Sequence, residues 1–554
     1  MKINKFYILL LVVVLSIIAF LSYWFFALPI ASKSSVVSLK TGDTYNLEAS
    51  YVTKQINGKD QKMLAYNGSI PGPTIEVEQG SEITIHFVNN TDMPELLHSH
   101  GVRMDNAFDG SHLVQKEVEP GESFDYVLKF PDAGVYWYHP HINEVYGQAR
   151  GLYGAFIVKP KDKNYFPPVN RQVPLILSDV LVANGKMSIQ KNTSDSTLMG
   201  HYGNVMLTNG DEDYTLTGTS GEVVRFYVIN ASNARPYNFV INNAKMKLVG
   251  GDSGAYEKST YVDSIVLGPS ERAIVDVLFD KEGAYNIVNK TPDREYILGK
   301  VVIETGNILV SYKNEFNTLQ INKDTIASID PFRQYFDKNP DKKISLIVDM
   351  MGNMRMDKSM MHTHRSDNAR TNDSKTVNLM GMNMTIEQAI EHCTSMPQMA
   401  GCEPYLNNDD NQTLVPQNTK ESDGIEWEDS MQMMNQMSSD KNVQWKIIDD
   451  ATGKTNMNID WTFKKGEPVK IRIFNDSKSM HPMQHPIHFH GQRFLVVARD
   501  GVLQTNLVWK DTVMVKAGET VDIILDPSNP GQWMAHCHIA EHLSNGMMFG
   551  FKVE

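Results

Sequence analysis

The stretch "TIEVEQGSEITIHFVNN" (74–90) alternates apolar and polar residues on both sides of a glycine, the pattern of two β-strands joined by a turn. The same theme, a turn followed by a charged residue and a strand, recurs in "EVVRFYVINAS" (222–232), "SIVLGPSERAIVDVLF" (264–279) and "GEPVKIRIFNDS" (466–477). Short strands separated by turn residues are typical of β-sandwiches. We therefore predict an all-β protein built from sandwich domains.

Three similar blocks can be recognised, and we expect one domain in each: 36–162, 170–312 and 342–554. The stretches 159–172 and 322–343, rich in charged and turn residues, are predicted to link them. A chain of 554 residues is long enough for three such domains, because a domain typically holds about 50–250 residues.

Residues 350–437 depart from the strand pattern, since they contain 15 of the 30 methionines and few β-branched residues. Polar and charged residues separate the methionines, which is unusual for a buried methionine stripe. We predict an insertion into the third domain over about 350–437. It either binds copper through thioethers or serves as a flexible lid or oxidation sink. Its two cysteines, Cys393 and Cys402, can form a disulfide in an oxidising compartment.

The N-terminus carries an uncharged apolar run, residues 6–28, after Lys2 and Lys5. As a helix this run would be about 34 Å long, enough to cross a hydrocarbon core of about 30 Å. Residues 1–35 are predicted to be a retained signal anchor or a cleaved signal peptide. Both alternatives export the protein to the periplasm or cell surface, and the first anchors it in the membrane. The net charge of −13 argues against a nucleic-acid partner.

Histidines separated by one residue are far commoner than chance allows. Random placement of the 17 histidines would give roughly 0.5 such pairs, whereas the sequence has five. They are His98/His100, His139/His141, His362/His364, His488/His490 and His536/His538. All but His362/His364, which we interpret as incidental, lie in or beside predicted strands. Residues two apart in a strand point the same way, so each pair presents two imidazoles to one place. Eight imidazoles without carboxylates suit copper better than magnesium or calcium.

The stretch "AHCHIAEHLSNGMMF" (535–549) places Cys537 between two of these histidines. In an extended segment Cys537 faces away from them. A thiolate, two imidazoles and a weak axial thioether form the ligand set of a blue-copper electron-transfer site. We predict that Cys537, His542 and Met547 supply three of these ligands, and that His485 supplies the second imidazole.

Four motifs resemble the copper signatures of the multicopper oxidases, in the order that the family has them. They are "HSHG" (98–101), "WYHPH" (137–141), "HPIHFHG" (485–491) and "HCHIAEHLSNGMM" (536–548). The stretch 66–90 also resembles the N-terminal block of that family. The resemblance implies three cupredoxin-like Greek-key sandwiches and four copper ions per chain. It also implies one-electron oxidation of a reductant coupled to four-electron reduction of O₂ to water.

The resemblance further implies which residues bind each copper. The type 1 copper would take His485, Cys537 and His542 with Met547 axial, and the type 2 copper His98 and His488. One type 3 copper would take His100, His139 and His538, and the other His141, His490 and His536.

Reduction of O₂ consumes protons, so an acid is expected near the copper cluster. Asp109 matches the family's proton-relay aspartate, although it can equally be a turn residue before Gly110. Many bacterial relatives have a glutamate directly after the last type 1 histidine. This chain has Leu543 there and Glu541 on the other side of His542. Either Glu541 substitutes for that glutamate or Asp109 acts alone.

Two oxidase substrates compete, Cu(I) and small phenols. Thioethers select Cu(I), and the methionine-rich insertion resembles that of the bacterial copper-tolerance oxidases, which convert Cu(I) to Cu(II). The candidate ligands for substrate copper are Met354, Met356, His481 and Met483, where His481 replaces an aspartate of such relatives. A laccase-like phenol oxidase is the second interpretation, and a non-enzymatic copper-storage protein is the third.

Overall fold

The chain folds into three consecutive β-sandwiches, each made of two sheets. This computed structural model describes residues 28–191, 194–350, 376–379, 382–385 and 423–554. The predicted all-β fold class is confirmed.

The first sandwich opposes the sheet β1-β4-β9-β8-β6 to the sheet β3-β2-β5-β7. Its strands are β1 Val36–Ser38, β2 Thr44–Ile56, β3 Lys59–Tyr66, β4 Thr74–Glu78, β5 Glu82–Asn89, β6 Leu97–His100, β7 Ser123–Lys129, β8 Gly134–Pro140 and β9 Gly154–Lys159. The stretch 74–90 forms β4 and β5 as predicted. The two strands belong to different sheets, so their turn joins the two layers instead of closing a hairpin.

The second sandwich opposes the sheet β14-β22-β21-β16-β19 to the sheet β13-β10-β15-β20-β17-β18, with β11 and β12 as a separate pair. Its strands are β10 Arg171–Val180, β11 Val182–Ala183, β12 Lys186–Met187, β13 Val205–Thr208, β14 Thr215–Thr219, β15 Glu222–Asn230, β16 Tyr237–Ile241, β17 Lys245–Gly251, β18 Gly254–Val262, β19 Ile265–Leu267, β20 Arg272–Phe279, β21 Gly283–Lys290 and β22 Glu295–Glu304.

The third sandwich opposes the sheet β27-β36-β35-β29-β33 to the sheet β26-β23-β28-β34-β30-β31, with β32 paired to β30. Its strands are β23 Lys342–Met350, β26 Val443–Asp449, β27 Asp460–Phe463, β28 Val469–Asn475, β29 His485–Phe489, β30 Arg493–Arg499, β31 Val502–Leu503, β32 Trp509–Lys510, β33 Thr512–Val515, β34 Thr520–Asp526, β35 Gly531–Cys537 and β36 Met548–Val553. Between β23 and β26, in the predicted insertion, β24 Thr376–Leu379 pairs with β25 Met382–Thr385.

The three sandwiches repeat one topology. In the first sheet of each, the strand before the layer-crossing turn pairs in parallel with the last strand: β4 with β9, β14 with β22 and β27 with β36. In the second sheet the strand after that turn pairs in parallel with the opening strand: β5 with β2, β15 with β10 and β28 with β23. Strands at equivalent places can therefore be compared between sandwiches.

Among the described residues the helices are few and short: α1 Glu144–Ala149, α2 Lys313–Asn317, α3 Lys323–Ile329, α4 Gln432–Met437 and α5 Ala540–Ser544. The predicted linker 322–343 contains α3 and the 3-10 helix Asp330–Tyr335, and the described part of the chain also has the 3-10 helices Asn106–Phe108 and Asn456–Asn458. Among the described residues, no helix has the length and apolar character needed to cross a membrane. The predicted N-terminal segment 6–28, apart from Leu28, and the pair Cys393 and Cys402 lie outside the described residues.

Candidate metal centre

Two strand pairs at equivalent places in the first and third sandwiches bring the paired histidines together. β6 lies antiparallel to β8 with His98 opposite His139, and β29 lies antiparallel to β35 with His488 opposite His536. The two strand pairs meet face to face, because the ring of His98 stacks on that of His490 with centroids 4.1 Å apart. We call the resulting group the eight-histidine centre: His98, His100, His139, His141, His488, His490, His536 and His538.

All eight side chains are buried. Burial, reinforced by the neighbouring imidazoles, lowers the pKa of His98 to about 3 and the pKa of His139 and His490 well below its ordinary value. These three imidazoles are therefore held in the neutral form, the form that coordinates a metal ion.

Three of the imidazoles are anchored to the main chain through one nitrogen and leave the other buried without a partner. The Nδ1 atoms of His98, His139 and His488 donate to main-chain oxygens at 2.7, 2.9 and 2.8 Å. The Nε2 atoms of the same three residues are buried without a hydrogen-bond partner. A buried nitrogen left without a partner costs free energy, and a metal ion would remove that cost. The residues thus fit a bound metal.

The free nitrogens converge in sets of three. Potential ligand atoms lie within 4.8 Å of one another in the sets His98/His100/His139, His98/His488/His490 and His141/His490/His536. In the last set the Nε2 atom of His490 is 3.2 Å from that of His141 and 3.0 Å from that of His536. The ring of His538 lies 4.9 Å from that of His100 and 5.0 Å from that of His139. Of the sets that the family resemblance implies, His141/His490/His536 converges at ligand distance, and the ring of His538 lies beside those of His100 and His139.

A second centre lies on the other face of β35. The Sγ atom of Cys537 is 3.5 Å from Nδ1 of His485 and 3.7 Å from Nδ1 of His542. The main chain of Met547 accepts from Cys537 N at 3.1 Å and donates to His542 O at 2.9 Å. We call these four fully buried residues the cysteine centre. Burial raises the pKa of the Cys537 thiol, so a bound cation is needed to hold it as a thiolate.

Trp445, which the sequence did not single out, covers the cysteine centre. Its ring lies 4.2 Å from that of His542 and 4.7 Å from that of His485, and its Nε1 donates to Thr197 O at 2.8 Å. The imidazole rings are therefore fixed by packing from β26 and from a loop of the second sandwich.

Models of multicopper oxidase domains match residues 48–163, 170–308 and 426–554, which together span more than half of the chain. The chain belongs to the multicopper oxidase family. It is therefore a copper-dependent oxidoreductase that uses O₂ as its electron acceptor.

The oxidase is similar to family members of more than one kind. It is 26% identical to multicopper oxidase mco of Staphylococcus aureus over 516 residues, covering 90% of this chain and 86% of that protein. It is 25% identical to laccase-12 of Arabidopsis thaliana over 540 residues, covering 90% and 89%. The solved multicopper oxidase of Campylobacter jejuni, described as a metallo-oxidase, shares the fold with a TM-score of 0.64 and 22% identity, covering 95% and 98%.

Asp109 of the oxidase touches two histidines of the eight-histidine centre. Its carboxylate accepts from His490 Nδ1 at 3.0 and 3.1 Å, and its main-chain oxygen accepts from His98 Nδ1 at 2.7 Å. Burial raises the pKa of Asp109 to about 7, against the opposing effect of a hydrogen bond from Ser111. Asp109 also ends the 3-10 helix Asn106–Phe108, and a Cβ atom on the following Gly110 would lie 2.0 Å from Leu97 O. The contacts place Asp109 beside the eight-histidine centre, and its role as a proton relay stays a prediction.

Glu541 faces a different neighbour from the one the sequence suggested. Its Oε1 accepts from His201 Nδ1 at 2.6 Å and from His201 N at 3.1 Å. Within the described part of the chain, no hydrogen bond or ion pair joins Glu541 to the eight-histidine centre. The short helix α5 turns Glu541 away from the centre, toward the second sandwich.

Glu144, which the sequence analysis missed, is the carboxylate beside His141. Its Oε1 lies 3.2 Å from His141 Nδ1. Glu144, His141 and Leu543 line one cavity of about 330 Å³, together with His112 and Met548. Leu543 occupies the position at which many bacterial relatives carry a glutamate. That position and Glu144 therefore line the same cavity. The sequence did contain a signal for Glu144, because an acidic residue stands three positions after the predicted ligand His141.

Asp511 is a second missed carboxylate, and it lies 3.0 Å from His100 Nε2. Potential ligand atoms of His100, His488 and Asp511 cluster within 4.8 Å. However, Arg272 donates to both carboxylate oxygens of Asp511, so this cluster supports the centre and is unsuited to a further cation.

The candidate ligands for substrate copper have different surroundings. Met483 is 1% exposed and belongs to the apolar core of the third sandwich. His481 is also buried, and burial lowers its pKa to about 4. Met354 and Met356 lie outside the described residues. Of the two that the structure describes, neither is presented at the surface.

Proposed function

We propose that the oxidase converts Cu(I) to Cu(II) as a copper-detoxifying activity. Four Cu⁺, one O₂ and four H⁺ give four Cu²⁺ and two H₂O. Phenol oxidation of the laccase kind is the second candidate, because 90% of this chain aligns with laccase-12 of Arabidopsis thaliana at 25% identity.

One observation supports this proposal above all: the end of the methionine-rich segment packs beside the cysteine centre. Gln484, next to His485, accepts from Glu426 N at 2.7 Å and donates to Glu426 O at 3.2 Å. Further along, Asn435 in α4 accepts from Met199 N at 3.0 Å. The segment 423–437 is therefore fixed against the strand that presents His485.

Methionine thioethers, which are soft metal ligands, lie in and near this segment. Met431, Met434 and Met480 are partly buried and pack against the apolar core that contains Cys537. Thioethers favour Cu(I) over Cu(II). The side chain of His485 is 0% exposed, which suits a small cation better than a bulky phenol.

The resident coppers fit the residues as the family resemblance assigns them. The cysteine centre would hold the type 1 copper. His98 and His488 would hold the type 2 copper, and the remaining six cluster histidines the type 3 pair. Bound copper supplies one-electron oxidation at the first centre and reduction of O₂ at the second. Cys537 links the two centres through its peptide bonds to His536 and His538, and Asp109 holds a proton beside His490.

The proposal is tested by measuring O₂ uptake with Cu(I) and with a phenol under matched conditions. We expect the double variant Met431→Leu/Met434→Leu to slow Cu(I) oxidation about tenfold, a loss of about 1.4 kcal/mol of transition-state stabilisation. Phenol oxidation should stay unchanged. The matched control is Met433→Leu/Met437→Leu on the exposed face of the same helix, where the two methionines are 63% and 64% exposed. Equal loss of both activities in the first variant would contradict the proposal.

Deletion of the methionine-rich segment gives a second test. The predicted insertion runs to about residue 437, but residues 423–437 hold hydrogen bonds to the second and third sandwiches. A deletion of 354–422 leaves those bonds in place. We expect it to lower Cu(I) oxidation strongly while phenol oxidation stays equal or rises. A deletion variant that oxidises Cu(I) at the parental rate would favour the laccase assignment.

We also infer that the oxidase works outside the cytoplasm, anchored by residues 6–28 if that segment is retained. The inference rests on the apolar N-terminal run behind Lys2 and Lys5. Fractionation of cells with an antibody to the oxidase tests it, since recovery of the mature protein from the cytoplasm would contradict it.

A further inference from the structure

Arg272, at the start of β20, joins all three sandwiches. Its Nη1 and Nη2 atoms donate to Oδ1 and Oδ2 of Asp511 at 2.7 and 2.5 Å. Its Nε donates at 3.1 Å to the main-chain oxygen of Val135. Val135 lies on β8, the strand of the first sandwich that carries His139, and Asp511 immediately precedes β33 of the third. The second sandwich supplies none of the predicted copper ligands, yet its arginine connects the two sandwiches that do.

Asp511 in turn holds two histidines of the eight-histidine centre. Its Oδ1 accepts from His100 Nε2 at 3.0 Å, and its main-chain oxygen accepts from His488 Nδ1 at 2.8 Å. Thr512 reinforces this contact, because its hydroxyl donates to Asp511 Oδ1 at 2.9 Å and lies 2.9 Å from His100 Nε2.

The contact with Asp511 distinguishes His100 from its neighbours. His98, His139 and His488 are anchored through Nδ1 and leave Nε2 free, whereas His100 is anchored through Nε2 and leaves Nδ1 buried without a partner. An imidazole coordinates a metal through the nitrogen that carries no hydrogen, so the partner of the other nitrogen selects the tautomer. Asp511 therefore directs Nδ1 of His100 toward the metal.

Atoms are packed closely around the contact between His100 and Asp511. Gly101, directly after His100, has a φ of +81°, and a Cβ atom there would lie 2.3 Å from Asp511 Oδ2 and 2.9 Å from Arg272 Nη2. Further charges surround the pair: Arg272 N donates to Asp252 Oδ1 at 3.0 Å, and Lys510 Nζ lies 3.3 Å from Asp252 Oδ2. Burial alone would raise the pKa of Asp511, but Arg272 holds it well below its usual range, so the carboxylate stays ionised.

We propose that Arg272 is a positioning residue for the eight-histidine centre. By fixing Asp511 it keeps Nδ1 of His100 toward the metal, so that the centre becomes competent for copper only when the second sandwich is docked. This inference rests on the copper assignments of the proposed function.

The test compares copper content, the blue absorption of the cysteine centre and O₂ uptake in purified, copper-loaded variants. Arg272→Met/Asp511→Leu removes both charges and leaves no unpaired buried ion. We expect it to keep its blue absorption but to lose copper from the eight-histidine centre, with O₂ uptake falling at least about a hundredfold. Arg272→Lys keeps the charge but not the two-pronged contact, and we expect partial copper loss from the same centre. If the double variant does not fold, the lysine variant decides.

The matched control is Arg225→Met/Asp276→Leu, a buried two-pronged pair of the same sandwich with N–O distances of 2.7 and 2.8 Å. We expect full copper content in this control. An Arg272→Met/Asp511→Leu variant with the parental copper content and O₂ uptake would overturn the inference, as would equal copper loss in the control. Absence of blue copper from the unsubstituted oxidase would instead overturn the proposed function.

Discussion

His536 lies directly opposite His488 in the antiparallel pairing of β35 with β29. The next pair in this register is Cys537 with Ile487, and the alternation of side chains sends Cys537 to the other face of the sheet. The equivalent strands of the first sandwich, β6 and β8, place His98 opposite His139. Equivalent strand pairs of the first and third sandwiches thus build the eight-histidine centre. The pair in the third sandwich also contributes Cys537 to the cysteine centre on its other face.

The equivalent strands of the second sandwich are β16 and β21, where Phe239 lies opposite Asn289. This sandwich keeps the fold without the histidines. Its contributions are Arg272 behind His100, and a loop in which Leu198 O lies 3.4 Å from His542 Nε2. The middle sandwich therefore serves as a support against which both centres are positioned.

Substitution of Cys537 should separate the two centres. We expect Cys537→Ser to lose the blue absorption near roughly 600 nm and all turnover, because the thiolate ligand is gone. Copper bound by the eight-histidine centre should remain, since His536 and His538 face away from the substituted side chain. Absorption spectra, copper content and O₂ uptake check this. A variant that still turns over would contradict the assignment of the cysteine centre.

Asp109→Asn should separate proton supply from copper binding. The amide oxygen can still accept from His490 Nδ1, so the copper content should be unchanged. Loss of the acid should slow O₂ reduction by about a hundredfold, the lower end of the usual contribution of a general acid. Reoxidation of the reduced enzyme by O₂, followed in a stopped-flow spectrometer, measures the step. Equal loss of copper and activity would instead show that Asp109 acts only by orienting His490.

Patterns local in sequence predicted the strands and the histidine pairs, whereas the family resemblance supplied the sets of copper ligands. Side chains two apart in a strand share a face, so the pairs His98/His100 and His536/His538 show their common direction without knowledge of the fold. The strand pair in 74–90 was predicted for the same reason. The sequence did not predict that these two strands belong to different sheets, because the turn between them does not determine which other strands they pair with.

Contacts made by domain docking could not be predicted. Asp511 is 411 residues from His100, and Arg272 is 239 residues from Asp511. Only the pairing of β29 with β33, which places Thr512 opposite His488, brings Asp511 to the centre. The partner of Glu541 could not be predicted for a related reason. A helix begins at Ala540, and its turn directs Glu541 to His201 although His542 faces the cysteine centre.

The contact between His201 and Glu541 predicts a pH-dependent stability. Burial lowers the pKa of His201, but the hydrogen bond and charge of Glu541 outweigh it, so the pKa is raised above its ordinary 6.5. The folded state therefore favours the protonated imidazole. Its stabilising contribution is complete below about pH 6.5 and is lost as the pH rises through the raised pKa.

We expect the free energy of unfolding to fall with rising pH across this window in the unsubstituted enzyme, and to fall less in His201→Gln. Urea unfolding of the copper-loaded proteins at a series of pH values measures the difference. An identical slope in His201→Gln would contradict the prediction.

Glu144 and Leu543 give the last prediction, because they line one cavity next to His141. Many bacterial relatives carry a glutamate at the position of Leu543, whereas this chain carries Glu144, whose Oε1 lies 3.2 Å from His141 Nδ1. If the cavity needs an acid at either position, Glu144→Ala should slow O₂ reduction by about a hundredfold while the blue absorption stays.

Adding Leu543→Glu to Glu144→Ala should then restore at least about tenfold of the lost rate, because the new carboxylate enters the same cavity. Leu543→Gln is the matched control: it offers a side chain of similar size without an acid, and it should restore nothing. O₂ uptake at saturating reductant and copper content report the two effects separately. Recovery with glutamine as well as glutamate would mean that the cavity needs a polar wall and not an acid. No recovery with either would place the contribution of Glu144 in its contact with His141 alone.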